Sequence, residues 1–157
     1  MDEVHRLVTS DSQFSIQTAG RLMAAVFPSW VRELALLVES VEAVRPAGAL
    51  PDWQPGAVLR LPFSRSICND GEAVCTQALM ALADSAMIIA CSAAWNGYRA
   101  MSTVDQTMHF LRPATFDVVA DARVVRIGKT TGFGRVMMMD AAENQPVGMV
   151  ASACSIL

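Results

Sequence analysis

The stretch from residue 72 to 95, EAVCTQALMALADSAMIIACSAAW, limits what this chain can fold into more than any other. From Ala78 to Trp95 nearly every side chain is apolar or small. A helix of that composition has no polar face to turn to water, so it is enclosed on all sides or lies in a membrane. Asp84 interrupts the run. A polar group left dry and unpaired costs roughly 2–7 kcal/mol, and an ionised one more. Asp84 must therefore be neutralised, hydrogen-bonded or placed at the mouth of a cavity. Structural ion pairs also bury acids, so the acid by itself does not identify a reaction.

The run is long enough for a membrane span. It is rich in Ala, however, carries Asp84, Ser85 and Ser92, and has no flanking Lys/Arg cluster. A charge near the bilayer centre costs roughly 2.5–3.5 kcal/mol on insertion scales. The expected setting is the core of a globular fold, with no membrane. Composition adds a constraint: 53% of residues are hydrophobic and 17% charged, against about 25% charged in ordinary soluble chains. Such an excess implies surface buried against other subunits or against lipid. A net charge of −3 without a basic stripe argues against nucleic acid. The start, MDEVHRLVTSDS, is acidic and polar rather than a signal peptide. Cys68, Cys75, Cys91 and Cys154 show neither metal-ligand nor redox spacing, and read as reduced, mostly buried thiols. These features suit a cytoplasmic protein.

The 157 residues read as one domain, 1–157, by the prior of ~100–200 residues per domain. Residues 1–30 read as a frayed tail and a helix over about 12–27, with Ser10, Asp11 and Ser12 as candidate N-caps and Pro28 as its stop. Alternation predicts strands over 34–44 and 57–63, and the loop 64–71 leads into the central helix, 72–95. After the Asn96-Gly97 turn, strands are predicted over 101–111, 116–127, 133–139 and 147–157. On the first of these, Val104, Met108 and Phe110 alternate with Thr103, Asp105, Thr107 and His109. Short connections favour an antiparallel meander. Only the long helix is apolar enough to cover its inner face. The expectation is an α+β fold, a curved antiparallel sheet wrapped around one buried helix.

That arrangement resembles the hotdog fold, and three stretches are similar to thioesterases of the phenylacetate-pathway (PaaI-like) type. They are Ala81-Leu82-Ala83-Asp84-Ser85-Ala86 on the helix, Thr103-Val104-Asp105 running to Phe110-Leu111-Arg112-Pro113, and Ala122 to Thr130 with its Arg126-Ile127-Gly128-Lys129-Thr130 turn. The likeness covers residues 57–157 well and the N-terminal part loosely. It implies an acyl-CoA thioesterase in which Asp84 activates water or attacks the thioester carbonyl itself. It places the oxyanion donor at the Thr76 N–H, in the first helical turn, where backbone N–H groups are unpaired within the helix. Asn69, fifteen residues before Asp84, matches a residue that holds the nucleophile or carbonyl. Thr103, with Ser102 beside it, matches a hydroxyl that positions water. Arg126, Gly128, Lys129 and Thr130 match an anchor for the coenzyme A phosphates; Arg112 is a weaker candidate. No metal and no cofactor beyond the substrate's own coenzyme A are implied. A homodimer or homotetramer is implied, with active sites at subunit interfaces.

The chain departs from the pattern at Cys75-Thr76-Gln77, where many relatives carry His-Gly-Gly. Side chains there reshape the pocket entrance, and Gln77 adds a polar contact or blocks the site. Cys75 and Gln77 therefore stand as substrate-binding candidates, and a non-catalytic acyl-CoA binding protein is the alternative. A hotdog dehydratase is the weaker third reading, because its His–acid pair is not matched. Read without the resemblance, Asn69 is a turn residue, Asp105 is structural, His109 is surface, and a Gly-Lys-Thr turn is ordinary. Met80, Met87 and the methionines at 137–139 either line an acyl tunnel or fill the core.

Overall fold

The structure is a computed structural model that describes residues 13–157. The expected tail and the N-cap candidates Ser10, Asp11 and Ser12 lie outside the described residues. The first helix, α1, runs Ile16–Val26 and is capped by Ser15, whose side chain accepts the Thr18 N–H at 3.2 Å. A single-turn helix, α2 (Ser29–Arg32), follows Pro28 and was not expected. Proline suits the position before such a turn, because it has no N–H to leave unpaired. Ala35 then takes a positive φ of 53°, which delays strand β1 to Leu37–Glu42.

Strand β2 (Gly56–Leu61) stops before Pro62. The central helix, α3, spans Thr76–Ala94 rather than beginning at residue 72. The four residues before it are bound up in a loop. Glu72 has φ 57°, Cys68 and Val74 form an isolated bridge, and the Val74 N–H reaches the Ala114 carbonyl at 2.8 Å. Strands β3 (Met101–Phe110), β4 (Val118–Ile127), β5 (Thr131–Asp140) and β6 (Pro146–Ile156) complete the chain.

All six strands form one sheet in the order β1-β2-β4-β5-β6-β3, with every neighbouring pair antiparallel. The last four strands are therefore not the simple meander expected. β3 pairs with β6 at the far edge, while β4 pairs with β2. The connection 111–117 crosses the end of the sheet, held by the Leu111 N–H on the Val147 carbonyl and by the Phe63 N–H on the Asp117 carboxylate. Among the described residues this leaves β3 with one unpaired side.

Helix α3 contacts all six strands. Leu82, Ala83, Ala86, Ile89, Ala90, Cys91 and Ala93 are fully or almost fully enclosed. The inner faces of β4 and β5 show strict period-two burial, with Val118, Ala120, Ala122 and Val124 on one and Gly132, Gly134, Val136 and Met138 on the other. Although long and apolar enough to cross a membrane, α3 has 67% of its apolar window buried inside the fold. The methionines divide by the same alternation. Met87 and Met138 are core, while Met137 and Met139 point to the opposite sheet face and line no tunnel against the helix. On that outer face Arg123 joins β1 to β4: its guanidinium donates twice to Glu42, at 2.6 and 2.8 Å, and its Nε donates to Asp121 at 2.6 Å.

Helix and sheet come closest at Gly134. A Cβ there would lie 2.3 Å from Met87 Cε and 2.8 Å from the Arg123 carbonyl oxygen. Gly134→Ala should therefore destabilise the fold by about 1–3 kcal/mol in urea titrations. Adding Met87→Ala should recover only part of that loss, because the backbone oxygen remains. The ion pair yields a prediction about acid. Hydrogen bonds from Arg123 hold Glu42 below the usual carboxylate value of 4.5. Glu42 thus contributes stability above that pH, which is lost as pH falls through the depressed value. Urea midpoints should fall less steeply on acidification in Glu42→Gln than in the parent.

Candidate active site

Strand β3 runs alongside α3 in the opposite direction, and its side chains meet the helix one turn at a time. Near its start the Thr103 hydroxyl donates to Asp84 Oδ1 at 2.5 Å. Further on, Gln106 Nε2 donates to the Met80 carbonyl at 3.4 Å. At its end Phe110 reaches a cleft beside Thr76. Asp84 is half-buried, the one acid on a helix whose surroundings are otherwise apolar or small. With one oxygen taken by Thr103, its other oxygen has no hydrogen-bond partner among the described residues. A carboxylate in that position can accept a proton or attack an electrophile.

The expected alternation along β3 fails at Val104. The register shifts between Thr103 and Asp105, so Val104 is the extra residue of a bulge and is 63% exposed rather than inward. Ser102 is exposed, and its ladder partner is Ser155. Asp105, Thr107 and His109 are exposed too.

The N-terminus of α3 forms the second part. Cys75 is the N-cap, half-buried and without a side-chain capping bond. Thr76 is the first helical residue, so its N–H has no acceptor within the helix. That end carries the partial positive charge of the helix dipole. Beside it lies a cleft of about 420 Å³, bordered by Thr76, Asn69, Leu79, Phe110, Leu111 and Arg112. Gln77 is exposed, contacts the Thr76 hydroxyl at 3.3 Å and does not border the cleft. Asn69 Oδ1 accepts the Gly71 and Ala73 N–H groups at 3.0 and 3.3 Å. The side chain thus holds the loop before the helix.

Distance separates these groups within one chain. Thr76 and Asp84 are eight residues apart on one helix, about 12 Å along its axis at 1.5 Å per residue. The turn with Arg126, Gly128, Lys129 and Thr130 lies at the opposite end of this 19-residue helix. There Trp95 Nε1 donates to the Gly128 carbonyl at 3.2 Å, and Arg99 donates to the Lys129 carbonyl at 3.5 Å while stacking over the Trp95 ring. The Thr130 carbonyl accepts the Ile156 N–H. Arg126 and Lys129 are exposed. So the structure brings Asp84 to Thr103, and Thr76 to Asn69 and Arg112, but within one chain it brings these two groupings neither to each other nor to the Arg126–Thr130 turn.

Gln106, Trp95 and Arg99 went unnoticed in the sequence. Gln106 had a signal: it is a polar residue on the same parity as Val104, Met108 and Phe110. Another cleft, about 560 Å³, lies between the loop 46–54 and Arg123 and Arg135, and contains none of the site residues above. Cys91 and Cys154 place their sulfurs 3.5 Å apart in the core, where burial pushes the Cys91 thiol up. Among the described residues no group of three His, Cys, Asp or Glu is placed to hold a metal ion.

Comparison with known proteins adds a partial family match and a fold. Residues 78–147 match the family described as the thioesterase superfamily. A protein of Halobacterium salinarum named as an esterase is 39% identical over 49 residues, which cover 29% of this chain and 32% of that protein. The match thus spans about a third of the relative's length. Among solved structures, the Escherichia coli PaaI protein from the phenylacetic acid degradation operon superposes with a TM-score of 0.72 at 18% identity, covering 98% of this chain and 96% of that one. A Haemophilus influenzae thioesterase gives 0.72 at 16% identity, covering 93% and 92%. At such identities the structural likeness concerns the fold.

Proposed function

We propose that this chain, which matches the thioesterase superfamily over residues 78–147 and carries the hotdog fold, is a member of that family and hydrolyses an acyl-CoA thioester to the free acid and CoA. The observation that carries the reading is the Thr103 hydroxyl donating to Asp84, on a helix that otherwise presents no charge. Thr103 fixes one carboxylate oxygen and leaves the other to work. As general base, Asp84 takes a proton from water while the oxygen attacks the thioester carbon. Negative charge then develops on the carbonyl oxygen, and the Thr76 N–H at the positive end of a helix receives it. The carbon–sulfur bond breaks, and the sulfur takes up the proton to leave as CoA thiol. As nucleophile, Asp84 would form an anhydride that water then opens; the same residues serve. Arg126 and Lys129 supply cations for the coenzyme A phosphates.

This chemistry needs two copies of the chain. A reacting carbonyl touches its attacking group and its oxyanion donor within roughly 3–3.5 Å of each, whereas Asp84 and Thr76 of one helix stand about 12 Å apart along the axis. We therefore assign the acid and the oxyanion donor of each site to different subunits of a homodimer at least. A second reading, binding without turnover, draws on Cys75-Thr76-Gln77 in place of His-Gly-Gly. Against it, Gln77 is exposed and does not border the cleft beside Thr76.

Thiol release from a panel of acyl-CoA esters tests the reading. Asp84→Asn should lower turnover by a factor of about 100 or more. Turnover equal to the parent would remove Asp84 from the mechanism, and CoA binding with no turnover on any ester would favour the binding protein. Subunit mixing tests the shared site. Thr76→Pro deletes the donor N–H at the helical position where proline is best tolerated. Each single variant should be inactive. Equal mixtures of Asp84→Asn and Thr76→Pro chains should regain about a quarter of parental activity, because half the dimers are mixed and each mixed dimer rebuilds one of two sites. No recovery after exchange shown by mass would place both groups in one chain.

A further inference from the structure

One polar side chain of β3 that the proposed reaction leaves unused, Gln106, reaches the central helix. Gln106 donates through Nε2 to the Met80 carbonyl at 3.4 Å. In an α-helix that carbonyl also receives the N–H of the residue four positions on, which is Asp84. The Gln106 amide is therefore one carbonyl away from the backbone of the acid. Met80 is 43% exposed, so this carbonyl lies on the helix flank that β3 covers only in part.

The bulge makes the contact possible. Residues three apart on a regular strand point to opposite faces. Thr103 and Gln106 are three apart, yet their ladder partners Cys154 and Ser152 are two apart, and both partners are buried on the helix side. The extra residue, Val104, absorbs the difference and turns both Thr103 and Gln106 toward α3. One then holds the Asp84 carboxylate and the other holds the backbone one turn earlier. Gln106 Oε1 is buried with no protein donor among the described residues. A glutamine serving packing alone would be a costly choice there, since an unsatisfied buried acceptor costs about 1–3 kcal/mol.

We propose that Gln106 is a positioning residue for the reaction: through the Met80 carbonyl it sets the height of the Asp84 turn against β3, so that the Thr103 hydroxyl and the free carboxylate oxygen are held in working geometry. This rests on the reading of Asp84 as the reacting acid. Gln106 touches neither substrate nor the reacting atoms in this scheme, so its loss acts on kcat and not on binding.

Steady-state thiol release tests the proposal in four variants: Gln106→Leu, Gln106→Met, Asp84→Asn and the Asp84→Asn/Gln106→Leu double variant. Gln106→Leu should lower kcat about tenfold with KM within about twofold. Gln106→Met keeps the side-chain length and carries no charge but loses the amide donor, so it should show the same kcat loss; it stands in if the leucine variant folds poorly. In the Asp84→Asn background Gln106→Leu should cost nothing further, because the residue acts through Asp84. Parental kcat in both Gln106 variants, beside an inactive Asp84→Asn, would overturn the positioning role and leave the acid's role intact. An equal proportional loss in both backgrounds would also overturn it, showing a general structural effect. Parental turnover in Asp84→Asn would overturn both.

Discussion

Everything in this fold depends on closing a sheet around a helix that has no polar face. Leu82, Ile89 and Cys91 are dry because α3 touches every strand. The small residues of the helix make that closeness possible. Ala83, Ala86, Ala90 and Ala93 let the backbone approach the sheet, and on the sheet side Gly132 and Gly134 leave room for the two core sulfurs and for Met87. Dispersion and burial over such a contact outweigh the modest helix propensity of its Ser and β-branched residues. Where the sheet ends, at β3, the enclosure is incomplete. There a carboxylate can exist on this helix without the full cost of a dry charge. The acid and the edge strand thus share one physical origin.

Position on the edge also explains the polarity of the contacts. A central strand would bury both neighbours of Asp84 and satisfy its own backbone through two ladders. β3 has one ladder, to β6, and offers side-chain donors in place of the other. Thr103 and Gln106 supply those donors at successive turns of the helix. The far end of the same strand borders the cleft at the helix N-terminus. A single edge strand therefore links the acid, its support and the electropositive end of α3 along about 12 Å of helix axis.

Much of this was legible in the sequence, and the exceptions have physical reasons. The enclosed helix followed from composition between Ala78 and Trp95. The inner faces of β4 and β5 followed from alternation, which the close packing against α3 enforces. Strand order did not follow: the connection 111–117 crosses the end of the sheet, and nothing in its composition distinguishes a crossing from a tight turn. The start of α3 was placed too early because the Val74–Ala114 hydrogen bond that holds the preceding loop is a long-range feature. The bulge was missed because the residues on each side of Val104 alternate regularly, and only the ladder with β6 reveals that the two halves are out of phase. For the site, the likeness of the Asp84 segment to thioesterases pointed to the acid, and the structure adds its contact with Thr103. The separation of Thr76 from Asp84 was there to be counted, eight residues on one helix, but acquires meaning only once one carbonyl must meet both.

The bulge has a consequence for assembly as well. A sheet with two open sides is a template onto which further chains can add without limit. Here the two sides are unlike. β1 is short and half-buried, with Glu39 and Glu42 tied to arginines, and β3 is kinked at Val104. A kinked edge accepts a neighbouring strand in few registers. The irregularity that turns Thr103 and Gln106 toward the helix thereby also narrows the ways a further strand can add at this edge, which works against unlimited sheet growth.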